Sequence, residues 1–193
     1  LATEVVIRTE RLRLTRLSQV DAMALFSYRS LPEVYAWQSF RPSSVADAET
    51  FISKTAQKPD QPGTWYQLGI FRNGDPALIG DIGIHFGEAS SQVALGYTLD
   101  PAFQGKGYVF EAVSAVITYL FRDLGKTRIT IDVHPGNSRS RKLAARLGMV
   151  QTGSREAPIE DTGSDDESVF YALDVENWPF SNTPKPSTSN FGK

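Results

Sequence analysis

Cysteine is absent from this chain of 193 residues, and histidine occurs only twice, as His85 and His134. Disulfide scaffolds, catalytic thiols, thiolate metal sites and most zinc constellations are thereby excluded, and no metal is expected. No apolar run approaches the roughly 20 residues that a bilayer-spanning helix needs, so no membrane partner is expected. Charge of one sign is missing too. Lys and Arg number 20 against 22 Asp and Glu, a balance of −2, which leaves no global excess to neutralise a nucleic-acid backbone. The first ten residues carry no basic segment followed by an apolar core, so they do not read as a secretory signal, and a cytoplasmic location is the expectation. Whatever chemistry occurs here uses oxygen groups, amides, backbone dipoles or a borrowed cofactor.

What is present is an ordinary globular composition, 40% hydrophobic and 22% charged, in a length that fits one domain. Residues 1–180 read as that domain. From Ser181 to Lys193 the run SNTPKPSTSNFGK has too few large apolar side chains to offset its ordering entropy, and reads as a flexible tail.

Strands and helices alternate along the rest. Leu12, Leu14 and Leu17 mark a first strand, and Ser18 caps a helix from about Gln19 to Arg29. Asp47–Ala56 reads as a second helix, ended by Lys58–Gly63. Trp65–Phe71, Ala77–Phe86 and Val93–Leu99 read as an antiparallel meander. The clearest helix is Tyr108–Leu124, with Val113, Val116, Ile117, Leu120, Phe121 and Leu124 on one stripe. A strand at Ile129–Val133, a helix at Ser138–Leu147 and strands near Met149–Gly153 and Ser168–Leu173 complete an α/β (α+β) class: a mixed sheet with helices against it.

The most informative stretch is Gly96–Tyr108, where a strand runs through Gln104-Gly105-Lys106-Gly107 into the strongest helix. A glycine-rich turn at a helix start is an anion site: free N–H groups converge, the helix dipole adds partial positive charge, and glycine permits close approach. Lys106 adds a full charge. A Walker loop requires Ser or Thr after the lysine, where Gly107 stands, and the dinucleotide fingerprint requires a small residue where Phe110 stands. Neither fits.

Gln104-Gly105-Lys106-Gly107-Tyr108-Val109 resembles the pyrophosphate-binding motif of the GCN5-related N-acetyltransferases (GNAT), Q/R-x-x-G-x-G/A, with Val109 in place of the final small residue. Gly96–Pro101 and Glu111-Ala112 resemble the branch of ribosomal-protein N-terminal acetyltransferases. Leu78–Gly83 is similar to that family's third strand, and His134–Ser140 with Leu147–Met149 to its late strand–helix segment. The resemblance runs from Arg8 to Trp178. It implies a mostly antiparallel mixed sheet, helices on both faces, splayed between its fourth and fifth strands (here Val93–Leu99 and Ile129–Val133).

The resemblance further implies acetyl-CoA as cofactor. Its pantetheine arm would pair with the backbone of Tyr97, Thr98 and Leu99 as an added strand, and its pyrophosphate would sit on Gln104, Gly105, Lys106, Gly107, Tyr108 and Val109. The basic side chains of Arg139, Arg141, Lys142 and Arg146 would lie near the phosphates. The pattern Asn-x-x-Ser falls on Asn137 and Ser140. It assigns Asn137 to the pantetheine, with a helix N-cap as its alternative or additional use, and brings Ser140 near the sulfur. Helical spacing places Ser140 on the inward face with Leu143, Ala144 and Leu147, in the first turn. Ser140 is therefore the leading acid for the departing thiolate, against the alternative of bonding to its own helix. Tyr97 is the other acid, or packs as an inward aromatic.

For the acceptor, Glu156 matches a position where relatives carry an Arg–Glu pair. Asp81 and His85 share one strand face and could line the acceptor cleft. Trp37 and Phe40 form its apolar wall or pack in the core, and the acidic run from Glu156 to Glu167 would attract a cationic amine. The expected function is acetyl transfer to a primary amine, of a peptide N-terminus or a small molecule, by direct attack in a ternary complex, in a monomer or homodimer. The alternative is a module that binds acyl-CoA without turning it over.

Overall fold

A computed structural model describes residues 5–89, 91–153 and 168–178. Glu156, the acidic run to Glu167 and the tail 181–193 lie outside them. Eight strands form one sheet: β1 (Val6–Arg8), β2 (Leu12–Arg16), β3 (Thr64–Arg72), β4 (Leu78–Phe86), β5 (Gln92–Leu99), β6 (Arg128–Val133), β7 (Val150–Thr152) and β8 (Val169–Asp174), in the order β1-β2-β3-β4-β5-β6-β8-β7. The helices are α1 (Ala22–Arg29), α2 (Pro32–Tyr35), α3 (Val45–Ser53), α4 (Tyr108–Arg122) and α5 (Ser138–Arg146). Every described strand pair is antiparallel except β5 with β6. The strand β1 and the single turn α2 are additions to the elements expected from the sequence.

The sheet separates two cores. Ile82, Ile84 and Phe86 alternate onto one face of β4 and bury against α4, whose Val113, Val116, Ile117 and Leu120 are almost wholly enclosed. Each such side chain contributes roughly 1.5–3 kcal/mol relative to exposure, which is why this stripe anchors the fold. Leu17, Leu25, Ala48, Ile52, Phe71 and Leu78 form the second core, where α1 and α3 pack on the other side. Ser44 starts α3 through a reciprocal cap with Asp47: Ser44 Oγ accepts from Asp47 N–H at 3.2 Å, and Asp47 Oδ2 accepts from Ser44 N–H at 3.0 Å.

The expected splay is present. β5 and β6 pair only from Gln92↔Arg128 to Ala94↔Thr130 and then part, while β5 continues along β4 to Gly80↔Leu99. Backbone alternation decides what this leaves open. Asp100 N–H donates to Ile79 C=O at 2.9 Å, so even-numbered residues of β5 bond toward β4. Tyr97 and Leu99 therefore face the gap. Thr98, expected beside them as a backbone partner for the cofactor, bonds the other way; it stands opposite Asp81 in register with β4.

Candidate active site

A cleft of about 810 Å³ passes through the gap in the sheet. On the α1–α3 side its lining includes Arg29, Trp37, Phe40, Phe51, Trp65 and Gln67; at the gap and on the α5 side it includes Gly96, Tyr97, Ile131, Asn137 and Ser140. A strand that ends its pairing early, followed by helix α5 starting beyond it, brings Tyr97 and Ser140 together from positions 43 residues apart in the chain.

Tyr97 packs its ring against the α4 core and keeps its hydroxyl buried with no hydrogen-bond partner among the described residues. Burial pushes its pKa up to about 12, and the neighbouring Ser140 hydroxyl eases ionisation slightly without reaching bonding geometry. Tyr97 Oη is therefore a protonated, unengaged donor at neutral pH. Ser140 Oγ makes no bond to its own helix. Asn137 caps α5, its Oδ1 accepting from Ser140 N–H at 3.1 Å. Among the described residues its Nδ2 has no partner, so capping and contact in the cleft are compatible uses of one side chain.

The turn before α4 has the features of an anion cradle. Gly105 and Gly107 have φ of +77° and +79°, a conformation in which side chains are strained, and Gly107 begins α4 with no side-chain cap. Gln104 holds the turn from both sides: its Nε2 donates to Leu99 C=O at 3.1 Å, and its Oε1 accepts from Arg139 at 2.5 Å. Arg11 Nη1 donates to Lys106 C=O at 3.0 Å, while Glu111 takes Arg11 Nε at 2.6 Å and Thr9 Oγ1 at 2.5 Å. Lys106 is exposed, its ammonium on Ala102 C=O at 3.2 Å. Val109 is partly buried against the α4 core. Arg139, Arg141, Lys142 and Arg146 are all exposed on α5.

These residues fit coenzyme A: an uncapped helix start for the pyrophosphate, a strand edge facing the gap at Tyr97 and at the Leu99 N–H for the amide-bearing arm, and an unpartnered buried hydroxyl where that arm would end.

The acceptor side departs further from expectation. Asp81 is fully buried and does not line the cleft. Its Oδ1 accepts from Tyr28 Oη at 2.5 Å and Arg29 Nε at 3.1 Å, and its Oδ2 from Arg29 Nη2 at 2.5 Å and from Gln67 Nε2. Burial disfavours the Arg29 charge, but Asp81 outweighs it and holds the guanidinium more firmly protonated than usual. His85 shares Asp81's face as expected, yet it sits against Trp65, ring centres 5.0 Å apart, and stands outside the cleft lining. Partial burial lowers its pKa. Trp37 is 41% exposed and lines the cleft, its ring centre 5.2 Å from that of His134, so it is wall and not core. Phe40 stacks on Phe51 at 4.3 Å, and both also line the cleft. Arg29 and Gln67 were not picked out by sequence; the available signal was a glutamine inside the apolar run of β3 and an arginine ending an apolar helix.

A family model described as the acetyltransferase (GNAT) domain matches residues 11–150. The ribosomal protein uS5-alanine N-acetyltransferase of Escherichia coli (strain K12) is 27% identical over 181 residues, 91% of this chain and 93% of that protein. The crystal structure of a GNAT-family acetyltransferase from Bacillus anthracis superposes with a TM-score of 0.75 at 22% identity, covering 89% of this chain and 99% of that one. The ribosomal L7/L12 α-N-protein acetyltransferase RimL, in complex with coenzyme A, gives a TM-score of 0.74 at 18% identity over 90% and 99% of the two chains.

Proposed function

The chain belongs to the GNAT family of acetyltransferases, enzymes that draw on acetyl-CoA, and on that premise we propose that it acetylates a primary amine seated in the α1–α3 half of the cleft. The observation that carries this is the gap between β5 and β6, which joins that half to Tyr97 and Ser140. The uS5-alanine enzyme, similar over 91% of this chain, favours a peptide α-amine as the acceptor. Small-molecule amines are the second class.

Acetyl-CoA supplies an activated thioester carbonyl and a thiol leaving group. The chain has three tasks: hold the donor, seat the amine against the carbonyl, and manage two protons. Amides from Gly105 to Val109, with Lys106 beside them, suit the pyrophosphate. The exposed cations of α5 suit the remaining phosphate. Asn137 Nδ2, the gap-facing backbone of Tyr97 and the Leu99 N–H suit the amide-bearing arm. Tyr97 Oη, still protonated at neutral pH, can deliver a proton to the departing sulfur, with Ser140 Oγ next to it as second donor. Glu156 is the proposed acceptor of the ammonium proton. A cytoplasmic location fits the use of acetyl-CoA; among the described residues no helix is long and apolar enough to cross a membrane.

Release of free thiol from acetyl-CoA, measured against a panel of alkylamines, amino-acid amides and N-terminal peptides, tests the reading. Acceptor-dependent release supports it. Tight coenzyme A binding with no release above background hydrolysis for any amine would return the chain to the alternative of a binding module.

A further inference from the structure

The floor of the acceptor half is a polar cluster that the transfer chemistry does not use. Arg29 Nη2 and Gln67 Nε2 both donate to one oxygen, Asp81 Oδ2, so their side-chain tips converge. Each then has a second end. Because Gln67 Nε2 must face the carboxylate, its Oε1 points away from it. Arg29 spends Nε and Nη2 on Asp81, and among the described residues its Nη1 has no hydrogen-bond partner. Both residues line the cleft although the Arg29 side chain is only 7% exposed and Gln67 2%. Gly83 opposite Gln67 makes room for this arrangement: a Cβ there would lie 2.9 Å from Gln67 Oε1 and 3.1 Å from the Trp65 ring.

A donor and an acceptor thus reach the cleft surface side by side on two otherwise buried side chains, and a ligand that displaces their water must match both to keep those hydrogen bonds. The charge balance selects what that ligand is. Arg29 is neutralised by Asp81, and Tyr28 stays protonated because burial raises its pKa far above the ordinary value. A carboxylate would face the Gln67 carbonyl with no net positive charge to replace its water, and an ammonium would face a guanidinium. A neutral group with its own donor and acceptor meets neither penalty. We propose that Arg29 Nη1 and Gln67 Oε1 form an amide-recognition site, taking the C=O and N–H of an amide close to the acceptor's amine. A primary carboxamide presents both on one edge, and a residue of an extended peptide presents both to one side.

The site rests on the acetyl-transfer reading and deepens it, and its test separates the two. Alaninamide and alanine methyl ester share the carbonyl and have amines of similar basicity, but only the amide has an N–H for Gln67 Oε1. Wild-type kcat/KM is expected to favour alaninamide about tenfold, the value of one hydrogen bond, and Gln67→Leu brings the ratio near one. Comparison of alaninamide with Ala-Ala-amide separates a small carboxamide from a peptide chain as its source. Equal use of ester and amide by the wild type, a preference for free alanine over both, or an unchanged ratio in Gln67→Leu overturns the site. Binding of N-acetylalaninamide against N-acetylalanine methyl ester, followed by the fluorescence of Trp37 and Trp65, gives the same discrimination without turnover and without the variant. If no amine is acetylated, the transfer reading fails, and the binding ratio still decides the site: tenfold supports it, unity overturns it.

Discussion

Tyr97 on β5 and Ser140 on α5 meet across the gap in the sheet, with the Tyr97 hydroxyl buried and without a hydrogen-bond partner among the described residues. A fold that needed only packing at this position would hold phenylalanine. Replacing Tyr97 with Phe is therefore expected to leave thermal stability unchanged or raise it by up to about 1 kcal/mol, because the variant removes an unsatisfied polar group and little volume. Calorimetric or circular-dichroism melts of the two proteins check this.

The same hydroxyl sets an alkaline signature. Its pKa is about 12 in the folded chain against roughly 10 in an unfolded one. The unfolded chain gives up this proton first, so the contribution is whole below about pH 10 and is lost as pH rises through about 12. Melts between pH 8 and 11.5 are expected to fall more steeply for the wild type than for Tyr97→Phe. As a proton donor, Tyr97 should impose no alkaline loss of activity below about pH 10.

Asn137 carries two separable duties. Asn137→Ala is expected to cost about 1 kcal/mol through loss of the α5 cap and also to weaken coenzyme A binding. Asn137→Asp keeps the capping oxygen and loses the Nδ2 donor, so it should restore the melting temperature while affinity, measured by titration calorimetry, stays reduced.

Gly105 has open space where a Cβ would go, so only its φ of +77° opposes a side chain. Gly105→Ala is expected to cost about 1–2 kcal/mol if the turn is kept. Relaxation of the turn would instead re-aim the amides before α4, lowering coenzyme A affinity by tenfold or more while the melt changes little. Paired melts and binding isotherms distinguish the two outcomes, and either ties the turn's geometry to its left-handed glycines.

The elements that position the donor were legible because their signals are local. The stripe from Val113 to Phe121 and the run from Gln104 to Gly107 each lie within about three turns of chain. The strand Val6–Arg8 was missed because three residues are too few for alternation to register; it exists because Val6–Arg8 finds Thr15–Arg13 across a tight turn. Asp81 is on the strand face that the sequence predicts, with His85, but it is enclosed there and does not line the cleft. Its partners come from positions 28, 29 and 67, on two other elements, and nothing local announces that a carboxylate will be enclosed by them. The gap itself depends on where β5 and β6 stop pairing, a property of the whole sheet and not of either strand.

Free-thiol release by wild type, Tyr97→Phe and Ser140→Ala, at saturating acetyl-CoA and with one accepted amine, tests most directly whether transfer occurs at the gap. A fall in kcat of about 10²-fold or more in Tyr97→Phe, with coenzyme A affinity retained and a smaller fall in Ser140→Ala, is the expected result. Wild-type rates in both variants would contradict it.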